Sequence, residues 1–311
     1  IRDSIKVKPS GTSEALAGWG EEWLYRLGAT GMIFSPSFQA LVTGKIGNDH
    51  GFASEMLMSH VSFDGQAKEL ASQIIGSIGG SSPPVASRRY VSPVDRLGSI
   101  NTINKLDSTT TVRVNASYSY SADRYAYGQR SQYYAGNNEV TFDEHNSAHN
   151  SEHKPSLDVL FNRNTPDYYL NNTLSTNATF KRSDFFTTDN DRDMRQHGKI
   201  DFANISDSFF WRRRIGRNIW RLNVMANYNM SPHADLTVTD SNNPEATATQ
   251  TVSSRSLNAR INAGTDFVLD YWRISLPFTI NYANDRVESE LMTTGDSNDL
   301  NGHNAKLSVS P

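Results

Sequence analysis

Three histidines spaced four apart, His145, His149 and His153, stand beside Glu144 and Glu152, and of all the residues in this 311-residue sequence they come nearest to metal chemistry. On a helix that spacing would place three imidazoles on one face, a set able to hold Zn²⁺ or Ni²⁺. The residues between them, Asn146, Ser147, Ala148 and Asn150, do not insist on a helix, so a solvated loop is the plainer expectation and no metal is implied. Asp189, Asp191 and Asp193 resemble the opening of a calcium loop, but Met194 stands where the turn glycine belongs and Ile200 where the bidentate glutamate belongs. Arg212, Arg213, Arg214 and Arg217 offer contacts to phosphate or anionic lipid, or form a solvated turn at a membrane edge. Serines, histidines and aspartates are plentiful, yet there is no nucleophile elbow, no phosphate-cradling glycine loop and no pair of acids in a defined pocket. The chain is therefore not expected to be an enzyme, and no cofactor is implied.

Behind these scattered groups lies a stronger pattern in the elements that must carry them. From Ile219 to Met230, Trp220, Leu222, Val224, Ala226 and Tyr228 fall on one face of an extended strand and Arg221, Asn223, Asn227 and Asn229 on the other, a period of two. The pattern returns from Tyr271 to Ala283, where Trp272, Ile274, Leu276, Phe278, Ile280 and Tyr282 alternate with Arg273, Ser275, Pro277, Thr279 and Asn281. Each apolar face begins and ends with an aromatic side chain. A strand tilted by about 40° needs roughly 9–11 residues to cross a bilayer, with aromatic girdles at both interfaces and a polar interior. Both runs meet that specification. A third, Thr111 to Ala122, sets Val112, Val114, Ala116, Tyr118 and Tyr120 against Arg113, Asn115, Ser117 and Ser119.

The totals agree with a wall of such strands. Hydrophobic content of 37% and mean hydropathy of −0.57 suit apolar-out, polar-in alternation. No run approaches the roughly 18 apolar residues of a membrane helix, so any crossing falls to strands. A net charge of −3 supplies no basic stripe for nucleic acid. The absence of cysteine excludes disulfides and thiolate chemistry. The chain opens at Ile1 with no methionine and no leader, and the alternation beginning at Lys306 stops at Pro311, so the sequence reads as a piece of something longer.

Connections are expected to sort by length. Short turns fall near Lys105–Thr110, Asn162–Asp167, Arg212–Asn218 and Val268–Asp270, and long polar loops near Asp123–Lys154, Ser183–His197, Ser231–Arg255 and Asp285–Asn304. Short periplasmic turns alternating with long extracellular loops are the habit of bacterial outer-membrane barrels. Leu236 and Val238 could carry the organising strand beyond the bilayer. Ala67 to Ile75 has helical spacing and predicts a short helix inside a loop closed by Gly79-Gly-Ser-Ser-Pro-Pro84.

Tyr25-Arg-Leu-Gly-Ala-Thr-Gly-Met32, Asp167-Tyr-Tyr-Leu-Asn-Asn-Thr-Leu174 and the run from Arg213-Arg-Ile-Gly-Arg217 through Tyr228-Asn-Met-Ser-Pro232 to Leu236 resemble the barrel of TonB-dependent outer-membrane receptors of the Bacteroidota type with a carboxypeptidase-regulatory-like segment. The resemblance covers nearly the whole chain. It implies an all-β fold: residues 1–311 as an arc of one antiparallel transmembrane β-barrel of roughly 22 strands, the plug domain and remaining strands lying outside this sequence. It implies ligand import in the bacterial outer membrane by binding and plug movement, without covalent chemistry. The partners implied are membrane lipid, the TonB complex reached through a region not in this chain, and a surface lipoprotein in some relatives. Tyr118, Tyr120, Trp220, Tyr228, Trp272 and Tyr282 are expected at the lipid interface, and Arg113, Arg221 and Arg273 facing the lumen. Two rivals stand beside this: a barrel of the same ancestry that scaffolds a surface assembly, and a secreted glycan-binding β-protein.

Overall fold

The computed structural model describes residues 8–20, 22–49, 70–76, 78–79, 83–135, 138–190 and 192–310, which form one twelve-stranded antiparallel sheet with every strand beside its sequence neighbours. The strands are β1 (Lys8–Trp19), β2 (Trp23–Phe34), β3 (Phe38–Gly47), β4 (Val91–Lys105), β5 (Thr110–Ala135), β6 (Asn138–Asn164), β7 (Tyr168–Asp189), β8 (Arg192–Ile215), β9 (Asn218–Asp240), β10 (Asn243–Leu269), β11 (Trp272–Thr293) and β12 (Asp296–Ser310). Helix is confined among the described residues to α1 (Leu70–Ile74) and a single 3-10 turn, Ser87–Arg89, both between β3 and β4. The fold is all-β, as the alternation predicts. Among the described residues β1 pairs only with β2 and β12 only with β11, so both edges of this sheet are open there.

The expected sorting of loops is overturned. All four long polar loops are tight hairpins between strands of up to 27 residues, roughly 90 Å of extended chain. Strands β7 and β8 are separated by residues 190–191, β9 and β10 by Ser241 and Asn242, and β11 and β12 by Thr294 and Gly295. These distal stretches carry Ser, Thr, Asn and Asp on both faces, so hydropathy has no period to reveal. A β-ladder pairs backbones whatever the side chains are. The four short turns fall where expected, and at one of them Gly216 supplies the left-handed φ of 61° that a two-residue hairpin demands. The long connection is the one between β3 and β4. Its predicted helix is present as α1, while the start of that prediction, residues 67–69, lies outside the described residues. Residues 1–7 lie outside the described residues too, and β1 runs from Lys8 to Trp19.

Register defines two faces. Following hydrogen-bonded partners from strand to strand, Val42 stands opposite Ile100, Ile100 opposite Ala116, Ala116 opposite Leu157, and Leu157 opposite Thr176. The row continues through Ile205, Tyr228 and Leu257. One face is thus an apolar band running across the sheet from β2 to β12. The opposite face carries Arg, Asn, Ser and Thr, including the row Asn177, Asn204, Asn229.

Candidate functional site

The polar face gathers the chain's chemistry in two places. Near the short turns, Asp266 is 3% exposed and serves as acceptor for three side chains. Arg273 donates to its Oδ2 at 2.7 Å and Ser275 to its Oδ1 at 2.7 Å, while the Arg221 guanidinium is ion-paired with it from β9. Two arginines on one carboxylate leave a surplus positive charge on this wall. Farther along, Asn177 donates to Asn204 at 3.3 Å, and Asn204 to Asn229 at 2.7 Å. Asn115 Nδ2, Ser175 Oγ, Asn223 Oδ1 and Asn227 Nδ2 on the same face are buried without a hydrogen-bond partner among the described residues.

The second place is a seat for the β3–β4 connection. Helix α1 crosses the polar face and packs on β9, β10 and β11, with Ala71, Ala234 and Val252 wholly buried and Ile74, Ile75, Ile200 and Val287 around them. Gln250 reads the segment twice, accepting from Gly76 N at 2.9 Å and donating to Ile74 O at 3.2 Å. Gln196 accepts from Gly79 N at 3.0 Å. Gly198 makes room for Ile78: a Cβ there would lie 1.7 Å from Ile78 Cδ1. The seat is built by a bulge at Ser231–Pro232–His233, where β9 carries one residue more than either neighbour. That extra residue turns Ala234 and Leu236 onto the polar face, although they share even numbering with the band residues Tyr228 and Met230.

No protein-family model matches this chain, and no curated protein does. Its chemistry therefore rests on placement.

The six aromatics expected at a lipid interface, Tyr118, Tyr120, Trp220, Tyr228, Trp272 and Tyr282, all lie on the apolar face by register. Tyr118 donates or accepts with His153 Nδ1 at 2.6 Å, and Arg96 sits 5.5 Å over the Tyr120 ring. Arg113, Arg221 and Arg273 all lie on the polar face, but only Arg221 and Arg273 meet; Arg113 stands on β5 opposite Leu160, with its Nε buried and unpartnered among the described residues. The three histidines are on β6, not on a helix, so a spacing of four puts successive rings on one face but roughly 13 Å apart along the strand, too far to share an ion. No group of three His, Asp or Glu side chains among the described residues is placed to hold a metal. Asp189 ends β7 and Asp193 lies in β8, where it accepts from Thr188 at 2.8 Å; Asp191 lies outside the described residues. The sequence reading passed over Asp266 and the two glutamines. Asp266 stands on the polar face opposite Ser275, a pairing that requires the register to be known.

Proposed function

We propose that this chain forms part of the wall of an outer-membrane β-barrel of the TonB-dependent receptor type, importing a ligand by non-covalent binding and plug movement. The observation that carries the proposal is the division of the sheet into an apolar face continuous from β2 to β12 and a polar face behind it. On β9 the band from Trp220 to Met230 is ten steps long, about 33 Å of strand and about 25 Å of vertical rise at a tilt near 40°, the height of a barrel's apolar belt. No helix among the described residues is long and apolar enough to cross a membrane, so the strands would do it. One carboxylate interrupts the band: Asp207, between Ile205 and Phe209, accepts from Asn172 at 2.8 Å, a polar partnership that lowers the cost of its position.

In this reading the aromatic ends of the band rest at the two interfaces, and the arginine-rich polar face lines the passage against the plug. The α1 segment would narrow the distal mouth. Energy would come from the TonB complex through a region outside this sequence, and a surface lipoprotein is a candidate lid.

The test places single cysteines by Leu222→Cys, Asn223→Cys, Leu276→Cys and Thr279→Cys and labels the protein in membranes with lipid-soluble and water-soluble thiol reagents. Leu222→Cys and Leu276→Cys should take the lipid-soluble reagent and the other two should not. Equal aqueous labelling at all four positions would sink the membrane assignment, and with it the receptor.

A further inference from the structure

On the apolar face, level with Met230 at the distal end of the band, the sheet puts two guanidinium groups side by side. Arg255 on β10 is the direct cross-strand partner of Arg286 on β11, and Arg286 is the direct partner of His303 on β12. Directly opposed like charges destabilise a sheet. Glu288 neutralises Arg286 at 2.5 Å, but Arg255 has no carboxylate partner among the described residues. His303 Nε2 is 2.9 Å from Asn284 Oδ1. Ser253, Ser254, Arg255, Arg286 and Glu288 line a cleft of about 270 Å³. On their own strands, Leu257 lies two residues below Arg255 and Tyr282 four below Arg286, so the cleft opens just above apolar surface.

We propose that the Arg255–Arg286 cleft binds the phosphate of a membrane lipid headgroup, an inference that rests on the membrane reading above. A phosphate in the cleft supplies the counter-charge that Arg255, unlike Arg286 with Glu288, lacks among the described residues, and accepts the forked, charge-assisted hydrogen bonds that arginine gives best. The acyl chains of the same molecule would lie along Leu257, Tyr282 and the band beneath, which favours a lipid over a free anion. The same face repeats the theme elsewhere: Arg124 stands opposite His149, four residues past Tyr120.

The experiment uses the whole protein in detergent, offered diphosphorylated lipid A or its dephosphorylated form, with retained lipid counted by native mass spectrometry. Wild type should retain the phosphorylated lipid, and excess inorganic phosphate should not displace it. Arg255→Ala/Arg286→Ala should retain about tenfold less or lower still, given the strength of charge-assisted hydrogen bonds. Arg255→Lys/Arg286→Lys should recover only part, because lysine lacks the fork. Equal retention by wild type and the double alanine variant, or equal retention of both lipids, overturns the proposal. So does displacement by inorganic phosphate, which would make the cleft a site for free anions. Labelling of Leu276→Cys in native membranes, without detergent, separates the failures. With lipid-soluble labelling intact, unchanged retention removes the phosphate site alone; with labelling lost, both readings fall.

Discussion

The seat of the α1 segment is held by few interactions, so its strength can be worked out and then removed. Gln250 contributes two hydrogen bonds and Gln196 one to the backbone of Ile74, Gly76 and Gly79. At about 1 kcal/mol net for each bond, the double variant Gln196→Leu/Gln250→Leu should weaken seating by about 3 kcal/mol, roughly a hundredfold in the seating equilibrium. The apolar contacts of Ala71, Ile74 and Ile75 would remain, so the segment should open more often without unfolding the sheet. Amide hydrogen exchange reads this directly. Exchange across residues 70–79 should accelerate by about that factor, while peptides from the facing ladders of β9 and β10 keep their protection. Gly198→Val should act in the same direction through Ile78, whose tip occupies the space a side chain would need. The reasoning is refuted if the segment exchanges freely in the wild type, or if the double variant leaves its protection unchanged.

A charge test of the two faces compares Val224→Arg with Asn223→Arg: the first should cost about 2–4 kcal/mol of folding stability in lipid and the second little, measured by denaturant titration in bilayers. Asp266→Asn leaves Arg221 and Arg273 facing each other without their shared carboxylate. It should lower stability by about 2 kcal/mol, less than for a fully buried pair because both arginines are half-exposed, with loss seen as an earlier urea midpoint. Asp95, just beyond the band and opposite Ser121, has its carboxyl pushed up to about 6 by burial first and by Asp123 and Asp49 next. Its protonated form is the one the fold prefers. Its stabilising contribution is therefore full below pH about 4 and fades as pH rises through 6, and Asp95→Asn should flatten that part of the stability–pH profile.

What was legible in the sequence was whatever one face's hydropathy enforced. Trp220 to Tyr228 and Trp272 to Tyr282 declare strand, face and ends because their outward residues are apolar and their inward ones are not. The distal halves were mostly illegible because stretches such as Asn243 to Thr251 put polar residues on both faces; Leu236 and Val238 are the exception, and they did point to a longer β9. Length was then mistaken for loop. The arginines at 221 and 273 could be assigned to a face by parity, but their convergence on Asp266 needs the register of β9, β10 and β11 together. The histidine spacing carried the opposite hazard: four residues is one helical turn or two full strand repeats, and only the backbone tells which.

The bulge in β9 links the band to the seat. Period-two alternation commits a strand to one assignment of its faces for its whole length, so a long strand that is apolar-out near the short turns stays apolar-out to its tip. This sheet needs the reverse at its distal end, where Ala234 and Val252 meet Ala71, and Leu236 meets Gly76, on the polar face. One additional residue at Ser231–Pro232–His233 exchanges the faces of β9 alone, and Ser231 fixes the irregularity by donating to Asp201 O at 2.8 Å. Its neighbours β8 and β10 keep their parity through Ile200 and Val252, already on the polar face. The same strand can thus present Tyr228 on the apolar face and Leu236 on the polar one, and an apolar patch arises there just where the β3–β4 connection arrives to cover it.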